Sequence, residues 1–451
     1  MDRHRLFYFL LPLCVFALFL PALFAQDATA VSPEPSTSQS LFDQSMTGMD
    51  MNAPHAIFID QVLAHTSSGT SMDPASSPES MLMAMRSNWM FMFHGVAFIE
   101  DQQQSGPRSA DKLFSTNWMM GMAQHKLGPG QVTFRAMLSL EPATITGRLY
   151  PELFQVGESA FGRPIVDGQH PHNFFMELTA IYDLHIRKNW LVSFYAAPVG
   201  DPALGPVAFP HRTSASEDPL ATLGHHMEDS THVAEGVATV GLTYRKIRIE
   251  ASGFHGREPD EFRWDIDPGR LDSWSSRLTI APTKNWIAQY SLGHLHSPEQ
   301  IYPNEDILRM TASISYNRSI TNGDWSSSFI WGRNHTIGAT LDTDAYLAES
   351  LLNFKTRNYV WGRFESVDRT NELLLGSNLP PIGFVVSSIG KVEATSIGYS
   401  RDIVRSHHIQ TALGAQLTLY NAPPSLSSIY GSHPVGALFF LRIRPFTPHH
   451  P

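Results

Sequence analysis

From about Asn88 to Phe446 the chain is a succession of segments of roughly ten residues in which apolar and polar side chains alternate, each bounded by turn-forming residues. In Arg309–Asn317, Met310, Ala312, Ile314 and Tyr316 share one face, and Arg309, Thr311, Ser313, Ser315 and Asn317 share the other. Ile409–Leu419 sets Ile409, Leu413, Leu417 and Leu419 against Gln410, Gly414, Gln416 and Thr418, and Val132–Leu140 sets Val132, Phe134, Leu138 and Leu140 against Thr133, Arg135 and Ser139. A period of two places successive side chains on opposite faces of an extended strand. Arginine and glutamate recur on the polar face, so that face must meet water or charged partners, while the apolar face needs a greasy neighbour.

The connections choose that neighbour. Strands are expected at 88–99, 113–126, 131–140, 174–184, 190–197, 235–245, 247–256, 272–281, 286–295, 309–319, 325–334, 344–354, 358–367, 391–401, 408–420 and 435–444. The links between them alternate without exception. Short ones such as Gly128-Pro129-Gly130, Arg187-Lys188-Asn189 and Thr321-Asn322-Gly323-Asp324 take turns with long ones around 100–112, 141–173, 198–234, 257–271, 296–308, 335–343, 368–390 and 421–434. An even strand count with short turns at one end and long loops at the other predicts an all-β, transmembrane, antiparallel up-and-down barrel of about sixteen strands. Its apolar faces then meet lipid, its short turns are periplasmic and its long loops extracellular. Trp190, Trp286 and Trp325 stand at strand starts beside short turns, where an interfacial aromatic belt belongs.

What precedes the barrel differs in composition. Residues 1–25 carry two arginines and then an almost wholly apolar run, Leu6–Phe24, ahead of Ala25, and read as a secretory signal peptide. The sole cysteine, Cys14, lies within it, so the mature chain has no thiol for disulfides, thiolate metal sites or nucleophilic catalysis. Residues 26–84, rich in Ser, Pro and Met, read as a flexible periplasmic leader with one short ordered piece at Ala56–Leu63; 85–446 is the barrel and 447–451 a tail. The formal charge, 32 − 42 = −10, argues against general nucleic-acid binding.

The final strand, Phe439-Phe440-Leu441-Arg442-Ile443-Arg444-Pro445-Phe446, resembles the last strand of outer-membrane barrels, which ends in an aromatic residue read by the barrel-assembly machinery; here the tail follows it. More broadly, 81–446 resembles a group of Gram-negative, porin-like outer-membrane proteins of uncharacterised activity. They carry segments like Gly168-Gln169-His170-Pro171-His172-Asn173-Phe174-Phe175-Met176-Glu177-Leu178 and Gly224-His225-His226-Met227-Glu228-Asp229-Ser230-Thr231-His232. The resemblance implies the outer membrane and no particular chemistry.

A barrel of this size can enclose water. Its inner wall is expected to carry Arg135, Arg245, Arg248, Arg277, Arg309, Arg363, Arg442 and Arg444 against Glu177, Glu250, Glu349 and Glu365. Either these charges bias a channel for small polar solutes or ions toward anions, or they pair across strands and knit the wall. Loops 141–173 and 198–234 are candidates to fold inward and constrict the lumen.

The alternative reading is metal handling. Nine of the 17 methionines fall between residues 46 and 92; Met46, Met49 and Met51 have the spacing soft Cu(I) accepts, and Met90, Met92 and His94 should share the inner face of the first strand. Loop residues His170, His172, His211, His225, His226 and His232, with Glu228 and Asp229 among them, suit Zn, Cu or Ni. No cofactor is required by the barrel itself. Catalysis is the weakest reading, with Ser230 beside His232, or His294 and His296 at a strand end, as the only hints of a lipid hydrolase, and the oligomeric state is not encoded in any pattern found. A structural barrel or adhesin is the remaining option.

Overall fold

The structure, a computed structural model, describes residues 57–446 apart from 65, 79, 230–233, 340 and 407. It opens with helix α1 (Ile57–Ala64) and a short strand β1 (Leu82–Arg86). Sixteen barrel strands follow: β2 (Trp89–Gln104), β3 (Asn117–Leu127), β4 (Gly130–Leu138), β5 (Phe175–Arg187), β6 (Trp190–Gly200), β7 (Ala234–Tyr244), β8 (Ile247–His255) and β9 (Ser273–Thr283) form the first half. The second half is β10 (Trp286–Leu295), β11 (Asp306–Ile320), β12 (Gly323–Ile337), β13 (Leu341–Phe354), β14 (Asn358–Thr370), β15 (Ser388–Arg405), β16 (Ile409–Asn421) and β17 (Val435–Pro445). Helices α2 (His225–Glu228) and α3 (Pro424–Tyr430) lie in long connections.

Every strand from β2 to β17 pairs antiparallel with its neighbours, and the sheet closes where β2 meets β17, from Ala97↔Ile443 to Gln104↔Gly436. β1 continues the line of β17 along the same edge of β2, from Leu82↔Phe93 to Arg86↔Trp89. That edge would otherwise expose unpaired amides below Pro445. Closure is what permits the strands to cross lipid, since all ladder hydrogen bonds are then made within the wall.

The alternation sorts the side chains as period two requires. Phe134, Phe364, Ile397, Leu413 and Phe439 stand exposed on the outer face, while their neighbours Arg135, Arg363, Ser396, Ala412 and Phe440 are buried within. Trp190 lies 4.4 Å from Tyr244 and Trp286 4.5 Å from Tyr316, ring to ring, forming a belt beside the short turns. Phe364 is central on β14, opposite Ala348 and Thr395. Phe364→Arg is expected to cost about 2–4 kcal/mol in reversible unfolding from lipid vesicles, the penalty for a charge facing lipid near the midplane. A loss below about 0.5 kcal/mol would mean this face is not in the acyl region.

Two expectations require correction. The stretch 26–84 is ordered beyond the piece expected at Ala56–Leu63: that piece is α1, which buries Phe58, Ile59, Val62 and Leu63 against Leu191, Ala281 and Ile287 on the inner wall, and residues 66–73 continue up the lumen as a buried strap. Its small polar residues, read as a sign of flexibility, let the backbone lie close to wall arginines. Arg245 is not on the inner wall. It occupies the short β7–β8 turn with φ of 55°, exposed, its guanidinium 5.3 Å from the Tyr244 ring, because the strand alternation ends one residue earlier. Residues 1–56, among them the expected signal peptide and Met46, Met49 and Met51, lie outside the described residues, as do His232 and the tail 447–451.

Candidate functional site

The inner wall is built by the polar half of each strand. Arg135, Arg248, Arg277, Arg309 and Arg363 point inward with Glu177, Glu250, Glu349 and Glu365, and none is more than 5% exposed. Side chains of a sixteen-stranded wall cannot by themselves seal so wide a lumen. What covers them is chain from the connections: the strap 66–73, loop 198–234 and, toward the long-loop end, loop 141–173.

The contacts are polar and specific. Arg135 donates to the Thr66 carbonyl at 2.8 Å, the Gly69 carbonyl at 2.5 Å and Glu177 at 2.6 Å. Arg277 holds Glu250 at 2.9 Å and reaches Thr70 Oγ1 at 2.7 Å and the Gly205 carbonyl at 3.1 Å. Ser252 and Ser291 accept the amides of Ala203 and Gly205, each at 2.8 Å. Further along, Arg212 of the loop binds Glu349 of β13 at 2.6 Å and Asp229 at 3.2 Å. Arg363 of β14 meets Asp218 at 3.0 Å and Glu349 at 3.2 Å. Arg442 of β17 pairs with Glu217 of the loop and with Asp402 of β15, the latter at 2.6 Å, and Arg444 meets Glu217 at 3.1 Å. The arginine excess of the wall is therefore met by carboxylates that the loop carries in. Arg309 donates to Asn334 at 2.9 Å.

Burial opposes the charge of Arg212, but Glu349 and Asp229 outweigh it and hold the guanidinium above its ordinary value. Glu228 is pushed well above the carboxylate range by burial and by the negative charges of Glu365 and Asp229. Asp229 is likewise raised by burial, against the pull of Arg212.

At the long-loop end the histidines converge, as the sequence spacing alone could not show. The rings of His225 and His226 of α2 lie 3.9 Å apart, tilted to one another, and His170 lies 6.3 Å from His226. Glu158 binds His170 and, at 2.7 Å, Arg263; His226 faces Glu258 at 3.4 Å. Ligand atoms of His170, His225 and His226 fall within 4.8 Å of one another, as do those of Glu158, His226 and Glu258. Both His225 nitrogens are occupied, Nδ1 at 2.8 Å from the Thr222 carbonyl and Nε2 at 3.2 Å from the Gln169 amide. The His170 and Arg263 charges draw Glu158 well below the usual carboxylate range in spite of burial. A divalent ion here would displace these partners and face Arg263. The arrangement reads more simply as a clasp joining loops 141–173, 198–234 and 257–271.

The other candidates separate. His172 is clipped to Glu141 at 2.8 Å, and His211 lies apart, against Met137. His294 and His296 share Asp306 at 3.2 and 2.9 Å. Glu158, Arg212, Glu217 and Arg263 had no sequence signal, since each lies in a long connection whose path has no period.

The fold is a closed sixteen-stranded transmembrane barrel. No protein-family model and no curated protein sequence matches the chain. Among solved structures it is similar to an anion-selective porin from Comamonas acidovorans at 11% identity and a TM-score of 0.47, covering 79% of this chain and 99% of that one. OprB of Pseudomonas putida aligns at 7% identity and a TM-score of 0.48 over 79% and 94% of the two chains. OmpF of Salmonella typhi, in a complex with daunomycin, aligns at 8% and 0.47 over 80% and 100%.

Proposed function

We propose that the protein is an outer-membrane channel for small polar solutes or ions whose resting state is closed by its own loop 198–234. The observation that carries this reading is the nature of the contact between loop and wall. Beside apolar contacts of Leu220, Leu223 and Met227 it includes many hydrogen bonds and ion pairs, as at Arg363–Asp218 and Ser252–Ala203. Polar groups of this kind return to water at little net cost when a segment withdraws, because each exchanges one hydrogen bond for another. Loop 141–173 packs Leu153, Phe154 and Val156 among Val367, Val392, Tyr420 and Tyr430, in a cluster that also takes in Leu223 and Met227 of loop 198–234.

The closure should respond to pH. Burial, with Glu177 nearby, pushes Asp201 of loop 198–234 up to about 7. A carboxyl raised in the inserted state favours insertion while protonated and disfavours it as pH climbs from its ordinary value through the raised one. Closure is therefore expected to weaken as pH rises from the ordinary aspartate value toward about 7. Liposome-swelling rates with a small sugar are expected to rise over that window and to flatten in Asp201→Asn. A rate that falls with pH, or one unaffected by Asp201→Asn, would count against loop 198–234 as the gate.

A further inference from the structure

One part of the inner wall is unlike the rest. Where β2, β3, β4 and β5 adjoin, the buried side chains are Met81, Met92, Met120, Met122, Met137 and Met176, with Met90 and Trp118 packed against them. Every other apolar cluster of the barrel mixes Leu, Val, Ile, Phe or Tyr; this one is thioether throughout. The register aligns it: His94 is opposite Met120, Met120 opposite Met137, and Met137 opposite Glu177. Directly opposed residues have Cβ atoms about 5 Å apart, so His94, Met120 and Met137 form one row across three strands. Loop 198–234 completes it by bringing His211 down from above.

Two imidazole nitrogens then meet two sulfurs. His94 Nε2 lies 3.1 Å from Met120 Sδ, and His211 Nε2 lies 3.1 Å from Met137 Sδ. The His94 and His211 rings are 6.1 Å apart, and the Trp118 ring stands beside both, at 5.2 and 4.2 Å. A metal bonded to sulfur at about 2.3 Å and to imidazole at about 2.0 Å with a tetrahedral angle sets the two atoms roughly 3.5 Å apart. Each pair thus needs to open by only a few tenths of an ångström.

We propose that Met120, Met137, His94 and His211 form a binding site for a soft monovalent cation of the copper(I) class, with Trp118 as its aromatic wall. Thioethers select soft ions, and all four donors are neutral. The carboxylate next in the row, Glu177, is committed to Arg135 at 2.6 Å. A set of neutral donors, the two thioethers buried and the two imidazoles half-buried, leaves a double charge uncompensated, which argues against Zn(II) and Ni(II) and for a single charge. An indole face adds attraction for a cation. The cluster lies between two lumen cavities. One reaches Met92 and Met122, and one reaches Met137, Met176 and His211.

The test uses the full-length protein in detergent, labelled with ¹³C at methionine methyls and titrated with Ag(I), a redox-inert stand-in for copper(I), in chloride-free buffer. One equivalent is expected to shift the Met120 and Met137 methyl signals and quench Trp118 fluorescence, while Zn(II) does neither. Met120→Leu/Met137→Leu keeps side-chain volume and so preserves the barrel. It should weaken binding by more than about 100-fold, beyond what losing even a group behind a ligand costs. Met81→Leu/Met176→Leu, within the cluster but outside the proposed ligands, should leave the affinity unchanged, as should Met46→Leu/Met49→Leu/Met51→Leu. The proposal is overturned by absence of Ag(I) binding, by equal response to Zn(II), by equal losses in the two lumen double variants, or by loss of the single site only in the leader variant.

Discussion

With residues 203–229 replaced by a short Gly-Ser linker, planar bilayers are expected to show a steady conductance at least roughly tenfold above that of the intact chain, because a lumen enclosed by sixteen strands is wide enough for a water column. The wall does not depend on the loop for its own integrity, as each strand is hydrogen-bonded to both neighbours around the full circle. The variant should also be anion-selective, whereas the intact chain passes little of either sign. The reason is arithmetic of charge at named sites. Arg363 loses Asp218, and both Arg442 and Arg444 lose Glu217, when the loop is removed. Their guanidiniums then line water with fewer carboxylates beside them, and fixed charge of one sign enriches the opposite ion. An intact chain that already conducts as well as the variant would remove loop 198–234 from the role of gate. Cation preference in the variant would show that the wall glutamates dominate.

The second large effect is expected from Arg442→Met. Arg442 is wholly buried and joins a loop carboxylate, Glu217, to a wall carboxylate, Asp402. Breaking one buried pair typically costs 3–5 kcal/mol, because a charge is left without its partner in a medium that solvates it poorly. Arg444 still reaches Glu217 at 3.1 Å and Arg405 still reaches Asp402 at 2.6 Å, so the lower end, about 3 kcal/mol, is expected. The loss falls on the loop rather than the wall, since local opening follows the weakest cooperative unit. Hydrogen exchange at 213–229 should quicken by roughly 10²-fold while β15 and β17 keep their protection. Adding Glu217→Gln removes the stranded charge and should recover part of the protection. Unchanged exchange in Arg442→Met would mean that apolar packing around Leu220 and Leu223, and not this ion pair, holds the loop.

How much of this could be read from residues alone varied with distance along the chain. Strands were legible because a face that meets lipid and a face that meets polar matter write an alternation into ten consecutive residues; Val132–Leu140 shows it, with Phe134 outside and Thr133 and Arg135 inside. Turns were legible from Gly128-Pro129 and Asn322-Gly323. Inward placement of Arg248, Glu250 and Arg277 followed from the same parity. Arg245 failed because parity has no meaning once the strand has become a turn.

The strand count, the alternation of short and long links and the direction of nearly every wall side chain were thus properties of the sequence, since each depends only on neighbours a few residues apart. Which connections lie against the inner wall was decided by tertiary structure. That Glu217 meets Arg442 across 225 residues, that His211 descends onto Met137, and that residues 66–73 run inside the barrel are outcomes of loop paths. Such paths have no period. They are set by whichever buried charge or sulfur on the far wall a flexible connection can satisfy once the barrel has closed around it.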